Sequence, residues 1–221
     1  MMTIGYWLLL ATGLLLLFGV GQRALDRLRL TDRQAIMAIS AMLVLGLVPD
    51  VPVTARVSVN LGGAVVPLLL SAYLLVKADT WGERVRCIAA SLVTAAAVYL
   101  IGRYFPAAPE AMPFDVNYLY GLAGGAIAYI FGRSRRGAFV AGVMGVLIAD
   151  VTNAGMVWAA GVDQRLVLGG AGAADAVVIS GLTAVLLAEL IGEVTERAVR
   201  GRQRPQKAFV GGEFVEKERG E

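Results

Sequence analysis

The chain has 221 residues, 57% of them apolar and 17% charged, with a formal net charge of +3 and a mean hydropathy of +0.69. Apolar runs separated by short charged patches at this composition describe a polytopic membrane protein, and the predicted fold class is all-α: a transmembrane helical bundle of about seven helices. The absence of histidine excludes HExxH zinc sites, Ser-His catalysis and the usual haem ligation, and a single cysteine excludes an internal disulfide and argues against a thiolate metal cluster.

The apolar runs lie near residues 4–22, 34–49, 57–76, 87–105, 118–132, 138–159 and 167–191. In the first, positive charge follows the apolar core, at Arg23, where a cleaved leader would carry it before; it reads as a permanent helix. The second and fifth are short for a crossing, so one of them tilts, thins the bilayer or crosses only partly. The third opens with "VNLGGAVVP", which sets Asn60 near its end, then Gly62 and Gly63, then a proline that removes a backbone bond. Cys87 stands at the entrance of the fourth and reads as a small buried residue rather than a reactive thiol. The fifth carries Gly124 and Gly125. The sixth holds Asp150 and Asn153 in "LIADVTNAG", and the seventh opens with "LVLGGAGAADAVVISGL", which contains Gly169, Gly170, Gly172 and Asp175. Residues 1–199 form the transmembrane domain; residues 200–221 form a polar cytoplasmic tail expected to be disordered.

Arginine placement orients the bundle, because short cytoplasmic loops collect Lys and Arg. Arg23, Arg27, Arg29 and Arg33 follow the first run, Lys77, Arg84 and Arg86 the third, Arg133, Arg135 and Arg136 the fifth, and Arg197, Arg200, Arg202, Arg204 and Lys207 the seventh. The alternate gaps hold Arg56, Arg103 and Arg165 beside Asp50, Glu110, Asp115 and Asp163. The N-terminus is therefore expected outside and the C-terminus inside, in a multi-pass protein of the cell membrane. Topology accounts for the basic clusters, so no nucleic-acid partner is expected; membrane lipid, with anionic headgroups at those clusters, is. No cofactor and no metal site are expected.

Two carboxylates stand out. Asp150 lies about 12 Å before the outer end of its helix, and Asp175 a similar distance after the outer start of the next, at 1.5 Å per residue. Only the short turn around residues 161–165 joins the two helices, so they are antiparallel neighbours and the carboxylates share a depth. A charged carboxylate in the bilayer costs about 2.5–3.5 kcal/mol on insertion scales, which is why such residues usually face a protein interior and mark function. Asn153 projects from the face of Asp150. Asn60 either faces the same cavity or caps its helix at the membrane surface. The glycine pairs allow close helix packing or a late helix start; if the seventh run is irregular through Gly172, Asp175 stands near a helix N-terminus.

The combination of "NLGGAVVP", "ADVTN" and "GGAGAADAVVISGL", in this order and spacing, resembles an uncharacterised family of prokaryotic integral membrane proteins, the domain of unknown function numbered sixteen-fourteen. The resemblance extends to about Val199 and implies a helical membrane fold without an activity. A weaker mechanistic likeness connects the two aspartates to GxGD-type intramembrane aspartyl proteases; here Gly170-Ala171-Gly172 precedes Asp175 with two alanines intervening.

Three readings follow. The polar group of Asp150, Asn153 and Asp175 is a packing knot in a membrane scaffold. Alternatively, Asp150 and Asp175 are the catalytic acid and base of an aspartyl hydrolase acting on a membrane peptide. Or they bind a proton or small cation in a carrier of small solutes.

Overall fold

The computed structural model describes residues 30–104, 116–132, 134–202, 207–210 and 213–216. Within them the chain is mostly helical: α1 (Asp32–Leu45), α2 (Val66–Val76, entered through a π-helical turn Leu61–Val65), α3 (Trp81–Tyr104), α4 (Val116–Gly132), α5 (Arg135–Ala159) and α6 (Ala176–Arg202). Short strands β1 (Val51–Pro52), β2 (Val57–Val59) and β3 (Leu166–Leu168) interrupt them. The second, fourth, fifth and sixth apolar runs thus coincide with helices, and the third and seventh become helical after their openings; the first lies outside the described residues. Helices α3 and α5, of 24 and 25 residues, are long and apolar enough to cross a membrane, and at 1.5 Å per residue each exceeds the roughly 30 Å hydrocarbon core. Four further apolar helices, Arg33–Leu45, Leu61–Val76, Leu119–Gly132 and Ala176–Gly192, are shorter.

Local sequence sets the helix starts. Thr31 opens α1 with a capping box, its hydroxyl accepting from the Gln34 amide while the Gln34 side chain accepts from the Thr31 amide. Ser134 caps α5 by accepting from the Gly137 amide at 2.9 Å. Pro67 has no N–H to give, and in a continuous α-helix its ring would crowd the carbonyl four residues back. The wider π turn precedes it, with the Val66 amide bonded to the Leu61 carbonyl.

Two apolar runs depart from the expected continuous helix. Residues 57–59 and 166–168 are strands that pair in parallel, Val57 with Leu166 and Val59 with Leu168, while β1 pairs antiparallel with β2. Beyond β3 the chain turns through Gly169 and Gly172, both left-handed with φ of 69° and 58°, and a 3₁₀ turn (Gly172–Ala174) before α6 begins. The two helix entrances meet backbone to backbone. A Cβ on Gly63 would collide with the Gly169 and Gly172 carbonyls, and one on Gly62 with the main chain of Met42 and Gly46.

One compact unit ends at Ala188 and has α5 at its centre, packed on α2, α3 and α4. Glycines set the helix directions. Gly121 and Gly125 of α4 face Ile179 and Thr183 of α6, so these helices run together. Gly132 meets Ala138 and Gly124 meets Val146, so α4 and α5 are antiparallel; Gly102 against Tyr120 and Val98 beside Gly124 give the same relation for α3 and α4. Gly142 lies against Ser180 and Gly181, the close crossing of α5 and α6. At one end of the unit, Arg136, its side chain 12% exposed, donates to the Lys77 carbonyl and pairs with Asp79 and Glu83 at 3.2 Å, clamping the α2–α3 turn to the start of α5. Cys87 is buried one turn along from Glu83. A second unit, from Glu189, holds the remainder of α6 and a hairpin of β4 (Lys207–Val210) with β5 (Glu213–Glu216); the rest of the tail lies outside the described residues.

Candidate functional site

Asp150 stands on α5 four residues beyond Val146, which reaches the Gly124 notch of α4. It lines a cavity of about 110 Å³ with Ala149 and Asn153 of the same helix, Val98, Tyr99 and Gly102 of α3, and Tyr120 of α4. That space is large enough to admit water. Asp150 makes no hydrogen bond to a described residue. Asp150, Asn153, Tyr99 and Tyr120 are thus the polar residues in a lining otherwise made of Val98, Gly102 and Ala149, drawn from three helices.

Asp175 has a different setting. It precedes α6 in an extended conformation, with φ of −71° and ψ of 149°. One carboxylate oxygen accepts from the Val177 amide at 3.0 Å and the other from the Ala171 amide at 3.3 Å. Its own carbonyl accepts from Ile179. This is helix capping, made necessary by the turn through Gly169 and Gly172 that delays the start of α6. Asp175 is 9% exposed and is not among the residues that line the cavity.

Asn60 is a cap as well. Its side-chain oxygen accepts from Gly62 and Gly63 at 3.0 and 2.9 Å, while its amide donates to the Val48 carbonyl and to Asp50 at 3.1 and 3.0 Å. Both donors and both acceptor positions are occupied. Of its two sequence readings the geometry supports the cap, and the residue is absent from the cavity lining.

The glycines divide by role. Gly62, Gly63, Gly169 and Gly172 bring two helix entrances together; Gly124 and Gly125 seat Ser180 and Thr183 of α6; Gly170 is exposed. The sequence reasoning missed Tyr99 and Tyr120. The signal was present: each is a polar-tipped side chain within an apolar run, as Asp150 is. Among the described residues no group of three or more His, Cys, Asp or Glu side chains is placed to hold a metal ion.

A dyad of the aspartyl-protease kind needs two carboxyls within roughly 4–6 Å sharing a proton. Here one carboxylate faces a cavity and the other is bonded through both oxygens to its own chain, so the protease likeness finds no support. No curated protein and no solved structure matches the chain. One family model does, that described as Protein of unknown function (DUF1614), over residues 24–187. With well over half of its length inside that model, the chain belongs to the DUF1614 family.

Proposed function

We propose that this is a multi-pass protein of the cell membrane whose working group is Asp150, a carboxylate that takes up and releases a proton or small cation in the carriage of a small solute. The proposal includes seven crossings with the N-terminus outside and the C-terminus inside, supported by the arginine pattern and by the alternating directions of α3, α4 and α5. The observation that carries it is the contrast between the two aspartates: Asp150 faces a polar cavity without a hydrogen-bond partner among the described residues, whereas Asp175 caps α6. A carboxylate kept inside an apolar bundle without structural bonds is costly, and in membrane proteins such residues mark ion and proton pathways. Asn153 and the two tyrosines supply the further oxygen and nitrogen atoms that a bound cation or hydrated proton needs. The basic clusters that follow the first and seventh apolar runs in the sequence meet anionic lipid headgroups.

A scaffold reading draws on the glycine seam between α4, α5 and α6. It predicts that Asp150 is silent in transport. The two readings separate in liposomes containing purified protein and a trapped pH indicator, with imposed proton and monovalent-cation gradients. The carrier reading expects a wild-type flux that Asp150→Asn abolishes and Asp175→Asn retains at reduced protein stability. No wild-type flux above empty liposomes, or a flux that survives Asp150→Asn, refutes it.

A further inference from the structure

Beyond the cavity, toward the middle of the bundle, Thr94 of α3 and Ser180 and Thr183 of α6 bury their hydroxyl oxygens without a hydrogen-bond partner among the described residues. Thr94 and Ser180 are 0% exposed. An unpaired buried hydroxyl costs about 1–3 kcal/mol, which a helical Ser or Thr ordinarily avoids by bonding the carbonyl one turn back. Ser91 on α3 does that, donating to the Cys87 carbonyl at 2.8 Å. The other three do not.

Each of the three sits in a notch where the facing helix carries glycine. The Thr94 methyl carbon lies 2.5 Å from the position of a Cβ on Gly145, the Ser180 hydroxyl 2.9 Å from that on Gly124, and the Thr183 Cβ 2.6 Å from that on Gly125. Along a helix at 1.5 Å per residue, Ser180 and Thr183 are separated by about 4.5 Å, within the span of a single bridging water. Val98 connects this set to the cavity. Its side chain lines the Asp150 pocket and also comes within 3.1 Å of the Gly124 notch that holds the Ser180 hydroxyl; Val146 closes the same notch at 3.5 Å. Thr94 lies one turn inward from Val98 on the same face of α3.

We infer that Ser180, Thr94 and Thr183 line a hydrated inward extension of the Asp150 cavity, with Val98 and Val146 as its apolar gate. Water supplies the donors and acceptors that the three hydroxyls lack, and a proton held at the cavity passes along that water without a covalent step. The inference rests on the reading of Asp150 as a proton- or cation-exchanging group, but its test does not depend on transport.

Ser180→Cys is placed in a Cys87→Ser background, and the folded protein in liposomes is treated with methanethiosulfonate ethylammonium, which reacts with thiolates in water. Val143→Cys, at a position 0% exposed among apolar side chains, is the dry reference. The thiol introduced at 180 is expected to react at least about tenfold faster than the reference, since only a hydrated thiol ionises readily. Val98→Phe is expected to return it to the reference rate. Asp150→Asn is expected to leave it unchanged, so loss of transport with labelling intact indicts the carboxylate reading alone. A Ser180→Cys rate equal to that of Val143→Cys overturns the extension. Should Ser180→Cys not fold, Ser180→Ala decides by sign: a hydrated hydroxyl makes the alanine variant less thermostable, whereas a dry orphan makes it more so, and the second result overturns the inference.

Discussion

Replacing Asp175 with asparagine keeps the side-chain shape and one acceptor, so the bond from the Val177 amide at 3.0 Å survives. The second oxygen becomes an NH₂ group directed at the Ala171 amide, turning a 3.3 Å acceptor contact into two donors facing each other. Losing a hydrogen bond to a charged group costs about 1.5–3 kcal/mol when buried, and losing a negative charge at a helix N-terminus about 0.3–1 kcal/mol. Because Ala171 is exposed, water compensates part of the first cost, and a total of about 2 kcal/mol is expected. For a protein of this size 1 kcal/mol corresponds to roughly 2–4 °C, so Asp175→Asn is expected to lower Tm by about 4–8 °C. Asp150→Asn removes no hydrogen bond to a described residue and is expected to stay within about 0.5 kcal/mol of wild type or to exceed it. Tryptophan fluorescence during heating in a mild detergent reads both. An Asp150→Asn variant destabilised as much as Asp175→Asn would refute the reasoning, since it would show that Asp150 holds the bundle together.

Gly63→Ala drives a methyl group into the Gly169 and Gly172 carbonyls, main-chain atoms that cannot turn aside, and is expected to cost about 3 kcal/mol or more. Gly155→Ala, on α5 with nothing within 4 Å of the added Cβ, is expected to stabilise by about 0.5–1 kcal/mol; the same heating experiment in detergent compares them, and equal Tm values for the two would contradict the close approach of the helix entrances. In the Cys87→Ser background, Val162→Cys in the α5–β3 turn is expected to react with a membrane-impermeant maleimide added outside intact cells, and Thr80→Cys in the α2–α3 turn only after permeabilisation. The reverse pattern would invert the proposed orientation.

Hydropathy is a local property, and what depends on it was legible in the chain. The apolar runs at 34–49, 87–105, 118–132 and 138–159 each coincide with a helix, since an apolar stretch without water must satisfy its backbone internally. The glycine-rich opening of the seventh run held two alternatives, and Asp175 beside a helix start was one of them. The lateral arrangement was not legible. β2 and β3, more than a hundred residues apart, pair in parallel because the helices between them return the chain to the same end of the bundle. No local pattern in "VSV" or "LVL" encodes that partner. Asn60 had two readings until Val48 and Asp50 occupied its amide. Asp150 gained Tyr99 and Tyr120 as neighbours because glycine notches on α3, α4 and α5 set which helix faces meet. Composition and periodicity determined the helices and their order. Side-chain shape, acting between segments far apart in sequence, decided that one carboxylate caps a helix while the other faces a cavity.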